Sequence, residues 1–246
     1  MKVLHIYIFL FIVNLCYCQQ KTFTPKSGEI VFVKQESADD KARYIELGEL
    51  LKGQLTDEKK QKGKIADTTA INQRLKEISA TVNTAVNQIE KRHHEFKGDK
   101  IISYRTTDGI RGDYYSIINT KTGLNGMVAK RDSDVVHLPE LPYYTPYAKG
   151  STIKIIEYPK EVKKINGFDC FKLTAVTTSY IDEDDFSSLE ITTNYEMWVT
   201  DKIKCLYHPV VWLKEVLEKY YPLEIIESSD MLAGKTVYSL SSFSLK

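Results

Sequence analysis

The sequence predicts an α+β protein: a curved antiparallel β-sheet, a half-open barrel of about eight or nine strands, with an inserted helical hairpin and one short C-terminal helix. Three observations predict it. Beyond Gly98, stretches rich in β-branched and aromatic residues are broken at hairpin-length intervals by Gly, Asn and Asp. Ahead of Gly98, two stretches instead repeat apolar residues at spacings of three and four, the period of a helix. Sixteen tyrosines and nine phenylalanines supply the aromatic content that a half-buried pleated surface favours.

The chain begins Met1-Lys2 and runs through "VLHIYIFLFIVNL" into "CYCQQ", a short basic start and an apolar run of signal-peptide length. His5 and Asn14 interrupt that run, and it falls short of the ~20 residues of a membrane span. The expectation is a signal peptide over residues 1–18, cut near Cys18-Gln19, and a periplasmic or secreted protein. A lipoprotein signal wants a small residue before its cysteine, whereas Leu15 precedes Cys16 and Tyr17 precedes Cys18. No transmembrane anchor is expected after cleavage. Loss of Lys2 with the leader leaves 33 basic against 33 acidic side chains, a balance with no long-range field to gather phosphates. Nucleic acid is therefore excluded as an expected partner. The remaining 19–246 reads as a single α+β domain.

"GEIVFVKQ", Gly28 to Gln35, is the first expected strand. From Ala38 to Leu55, Tyr44, Leu47, Leu51 and Leu55 form one helical stripe. A second stripe, Ile71, Leu75, Ile78, Val82, Val86 and Ile89, ends before Gly98. Together they predict a helical hairpin over 38–96, either packed on the sheet or standing as an arm for a partner. Strands then follow in "KIISYRT", "DYYSIIN", "MVAKRDSDVVHL", "STIKIIEY", "FDCFKLTAVTTSY" and "LEITTNYEMWVT". "PVVWLKEVLEKYY" carries one helical turn pattern, and "PLEIIES" and "KTVYSLSSFSL" close the chain as a hairpin. If Tyr180 pairs with Glu190, then Phe171, Leu173 and Ala175 lie opposite Val199, Met197 and Tyr195 on one apolar face, with Cys170 on the other.

Little in the chain looks like chemistry. Cleavage would leave only Cys170 and Cys205, and two cysteines in an exported protein point to one disulfide; two unpaired thiols and a reactive thiol are the alternatives. "KRHHEF" sets His93 and His94 side by side at an expected helix end, a spacing that puts them on different faces and makes no metal site. "DEDD", Asp182 to Asp185, lacks the glycine and distant glutamate of a calcium loop and reads as a hairpin tip. Arg111-Gly112-Asp113 reads as a turn between two strands. No nucleophile elbow, Walker loop, dinucleotide fingerprint or Cys-x-x-Cys pair occurs, so no cofactor is expected and an enzyme is disfavoured.

"KEVKKINGFDCFKLTA" followed by "NYEMWVTDKI" resembles the GLPGLI family of small exported envelope proteins, as do "DYYSIINTKTG" and "YYPLEII". The likeness covers about the last 150 residues. The Gly-Leu-Pro-Gly-Leu-Ile signature is absent, with Tyr221-Pro222-Leu223-Glu224 in its region. Such chains are similar in outline to the LolA/LolB-type carriers of lipoproteins, in which a half-open sheet curls around helices. The resemblance implies a compartment and a layout and no reaction. The functional expectation is a non-enzymatic binding protein that holds a lipid or acyl chain against Phe171, Leu173, Tyr195, Met197 and Val199. The alternatives are an interaction module for another envelope protein, using the 38–96 hairpin with its stripe of Leu75, Ile78, Val82, Val86 and Ile89, and a hydrolase without a recognisable motif.

Overall fold

The computed structural model describes residues 21–36, 88–131, 134–145, 147, 150–183, 187–229 and 235–246, with six helical positions between 45 and 77. Its strands are β1 (Ser27–Glu36), β2 (Glu90–Lys97), β3 (Lys100–Thr107), β4 (Ile110–Asn119), β5 (Leu124–Arg131), β6 (Asp134–His137), β7 (Leu141–Pro142), β8 (Thr152–Ile165), β9 (Phe168–Glu183), β10 (Ser187–Thr200), β11 (Tyr221–Ser229) and β12 (Lys235–Phe243). A one-turn helix, α1 (Lys214–Leu217), lies between β10 and β11.

This corrects the expected α+β class. Among the described residues the protein is an open, mostly antiparallel sheet of twelve strands, with almost no helix and no helical hairpin. The end assigned to the second helix, Glu90 to Phe96, is β2, paired along its whole length with β3 and from Lys91 onward with β1. Two flanking strands offered these residues a full set of backbone partners, and tertiary pairing outweighed a local helical pattern. Leu75, Ile78, Val82 and Val86 lie outside the described residues, and Ile89 is an exposed residue just before β2.

The sheet order is β6-β5-β4-β3-β2-β1-β12-β11-β10-β9-β8, with β7 pairing β5 on the β6 side. Two meanders are thus joined where β1 meets β12. Asp108-Gly109 and Asn166-Gly167 make the two-residue turns before β4 and β9, all four residues with positive φ. The sheet cannot be flat. Pro142 and Thr152 sit on opposite edges, ten strand spacings or ~48 Å apart in a flat sheet. The chain between them spans at most ~35 Å, so the edges must curl toward each other.

The concave face of that curl carries the core. Ile30, Phe32, His94, Phe96, Ile101 and Ile118 line its β1–β4 side, and Leu173, Ala175, Met197, Val199 and Ile225 its β9–β11 side. The segment from Asp201 to Tyr220 crosses this second half as a strap, burying Ile203, Tyr207, Val210, Val211, Leu213, Val216 and Leu217. Phe23 anchors the start of the strap through a parallel bridge to Ile203. No helix among the described residues is long and apolar enough to cross a membrane.

Candidate functional site

The residues predicted to line an apolar groove come together, and the chain itself covers them. Glu190 pairs with Tyr180, so Tyr195, Met197 and Val199 lie opposite Ala175, Leu173 and Phe171 in the register assumed from the sequence. Leu173, Met197 and Val199 are fully buried, while Phe171 and Tyr195 are half-buried. Phe171 packs edge-on against Tyr220 at the end of the strap, with ring centroids 4.9 Å apart.

His208 fixes the strap in place. Its Nδ1 accepts the backbone N–H groups of Val210 and Val211, each at 3.0 Å, and its Nε2–H donates to Pro222 O at 3.0 Å. The ring lies between Phe32 and Tyr221, at 4.7 and 4.8 Å. Burial pulls its pKa down to about 3, with only the bond to Pro222 working the other way and Arg92 adding to the depression. From the β7–β8 connection, Tyr143 donates to His208 O at 3.1 Å and Tyr144 to Leu206 O. Burial raises the pKa of both phenols, so both remain donors.

Beyond β1, whose Phe32 the strap's His208 reaches, no such cover lies over the β4–β7 part of the concave face among the described residues. Ile110, Tyr114, Met127, Val136, Leu138 and Leu141 are between 41 and 75% exposed, and all lie on the face that buries Ile101 and Ile118. The ladder establishes this. Tyr114 opposes Ala129, which opposes Val136; Leu141 opposes Asn125, the partner of Ile118. Ile110 opposes Thr107, the partner of Glu90, and opposed residues share a face. The Leu138 N–H continues the ladder to Met127 O. An apolar strip therefore crosses β4 to β7.

Three basic residues stand beside the strip on the same face. Lys34 opposes Tyr238, Arg92 opposes Phe32, and Arg105 opposes Arg92. Arg92 bonds Glu90 at 2.9 Å and lies over the Tyr238 ring at 4.7 Å. Glu227 approaches the same group; burial raises its pKa, and Arg92 and Lys34 pull it back. Sequence reasoning missed this strip and these cations. The period-two alternation of "DYYSIIN" was visible, but not which phase faced the concavity.

On the convex face, Glu29 accepts the Nδ1–H of His93 at 2.9 Å and the Tyr104 hydroxyl at 3.0 Å, while Thr106 Oγ lies 3.0 Å from His93 Nε2. Tyr104 stacks on His93, and Arg111 lies 4.0 Å over Tyr104. Burial, then Glu29, raises the Tyr104 pKa to about 12. A carboxylate, an imidazole and a hydroxyl in line have the layout that activates a nucleophile. Thr106, however, is only 9% exposed, which shields its hydroxyl from a substrate carbonyl, and the chain of bonds ties β1, β2 and β3 together. A cleft of about 310 Å³ beside it is lined by Gly28, Glu29, Glu95, Phe96, Tyr104 and Ser244. His93 and His94 do point to opposite faces, because they sit on a strand rather than at a helix end. Arg111-Gly112-Asp113 belongs to β4, the turn lying at Asp108-Gly109.

Cys170 and Cys205 are free thiols here, not the expected disulfide. Cys170 lies on β9 opposite Lys163 and bonds Phe168 O, whereas Cys205 lies beyond the end of β10 and bonds Tyr207 O. Past β10 the chain passes through Lys202 to its bridge with Phe23, and each sulfur bonds a carbonyl two residues from it in its own segment. Burial pushes both thiols up to about 12, the opposite of what a nucleophile needs. Cys170 is also buried, although out of phase with the Leu173 face, because this end of the sheet is packed on both sides and Phe168 meets Phe243. Among the described residues no group of three or more His, Cys, Asp or Glu is placed to hold a metal ion. Residues 184–186 of the acidic tip lie outside them.

No family model, no curated protein and no solved structure matches this chain.

Proposed function

We propose that this is an exported, non-enzymatic binding protein of the cell envelope, which holds a lipid or acyl chain against the open half of its concave face. The observation that carries the reading is the uncovered strip of Ile110, Tyr114, Met127, Val136, Leu138 and Leu141, on the same face as the core. A protein selected only for solubility would place polar residues there, since an exposed apolar patch lowers solubility and adds nothing to the fold. The N-terminal leader and the GLPGLI-like stretches around Cys170 and Trp198 support the compartment. A buried and a half-buried thiol, both of raised pKa, and a buried threonine hydroxyl support binding over catalysis.

The test is native mass spectrometry of protein recovered from its own envelope, followed by titration of the delipidated protein with a fluorescent fatty acid. The expected result is co-purified lipid and saturable binding, weakened at least tenfold by Met127→Glu with Val136→Glu. Clean apo protein with no titratable binding would overturn the reading.

A further inference from the structure

We propose that the ligand is a single-chain anionic amphiphile, a fatty acid in chemical class, whose carboxylate is received by Arg105 with Arg92 beside it. This rests on the binding reading above and names the head group that reading leaves open.

Arg92 and Arg105 are directly opposed across the β2–β3 pair. Two like charges in that position destabilise a sheet. Arg92 is compensated within the protein by Glu90 at 2.9 Å and by the face of Tyr238. Arg105 is exposed and has no acidic partner among the described residues. A guanidinium placed against another, with no carboxylate beside it among the described residues, keeps its fork open to a carboxylate in two parallel bonds.

The surroundings place that charge at the end of the apolar strip. Between the pairs Tyr104–Tyr115 and Thr106–Arg111, β4 carries three residues, Gly112 to Tyr114, against the single Arg105. Such a bulge re-aims the side chain opposite it. Gly112 brings no side chain into the space, while Ile110 and Tyr114 flank it from the same face. Cation and apolar strip are thus contiguous, and the strip runs away from the cation toward β6 and β7. That is the complement of a head with one charge and one tail. A neutral glyceride would use the strip alone, and a free anion would use the arginines alone.

The experiment compares two probes of equal chain length, palmitate and monopalmitoylglycerol, on the full mature protein and on Arg105→Gln. Arg105 is exposed, so thermal unfolding of the variant should match the parent. Palmitate should bind about tenfold tighter than the neutral probe, the effect of one charge-assisted pair at a partly solvated site. Arg105→Gln should remove most of that preference and leave the neutral probe unchanged, and 0.5 M salt should act in the same direction. Equal binding of the two probes, or a preference that survives the substitution, would overturn the head-group assignment and leave the apolar-binding reading standing. Failure of both probes to bind would remove the binding reading and this inference with it.

Discussion

Acidification from pH 7.5 to 5 should cost the fold about 2 kcal/mol through the buried His208, with His94 acting in the same direction. His208 Nδ1 accepts two backbone N–H groups and so carries no proton, and a proton placed there would face two donors. His94 is 1% exposed, its Nδ1 has no hydrogen-bond partner among the described residues, and burial with the nearby His208 holds its pKa well below 6.5. Both are neutral in the folded chain and take up protons near pH 6.5 when it unfolds. The unfolded state therefore binds more protons below pH 6.5, and stability rises with pH across that window. It is whole above about pH 6.5 and is lost progressively as pH falls toward 3, where His208 would titrate in place. At pH 5 His208 has given up 1.5 pH units at ~1.4 kcal/mol per unit, or ~2 kcal/mol, and His94 adds to the loss with the same sign. Glu227 opposes part of this, because its raised pKa lets the folded state take up a proton first. Urea unfolding followed by Trp198 and Trp212 fluorescence at half-unit pH steps measures the slope, and His94→Leu should make it shallower. Stability constant to within 1 kcal/mol from pH 7.5 to 5, or a folded-state histidine titrating at its ordinary pKa in both positions, would refute the assignment.

Gly28→Ala should be severely destabilising, since an added Cβ would come within 2.1 Å of Ser244 O at a φ of +99°; carboxypeptidase release of the tail should accelerate as 244–246 lose their pairing with β1. Tyr143→Phe removes the bond to His208 O and should cost ~1–2 kcal/mol in chemical unfolding, because the carbonyl it served is left inside the strap. A thiol reagent at pH 8 should find no reactive cysteine in the folded mature protein and two once it is denatured without reductant. A denatured count of zero would restore the disulfide.

Where the sequence carried the fold, it did so through turns and through strands of unmixed character. Asn166-Gly167 and the hairpin beyond Tyr180 set the β8–β9–β10 register, and Leu173, Met197 and Val199 could be placed on one face from that alone. β2 was illegible for a physical reason. Its alternating sets, Arg92, His94 and Phe96 against Lys91, His93 and Glu95, are polar on both faces except for one phenylalanine. Period two leaves no hydrophobic trace in such a strand, and the preceding helical stripe ran into it unopposed. The strap was illegible for another reason: Ile203, Val210, Val211 and Leu213 are buried by lying across a sheet, a geometry with no period. Its cover over β9–β11 is what turned the predicted groove into core.

The same strap explains why only half of the concave face is left open. It joins neighbouring strands, β10 and β11, and its twenty residues from Asp201 to Tyr220 reach across the face they leave before they must return. The opposite half is bounded by β6 and β7, a four- and a two-residue edge, and among the described residues no loop returns from them over β4 and β5. The connection from β7 passes away to β8 on the far edge and touches the strap through Tyr143 and Tyr144 on its way. Curling the sheet therefore brings a filled wall and an unfilled wall face to face. Substituting the strip of Ile110, Tyr114 and Val136 with polar residues would cost the core nothing, because Ile101 and Ile118 are already sealed. A strip that the core does not need, set beside an arginine with no acidic partner among the described residues, is the reason to look for a ligand there and not beneath the strap.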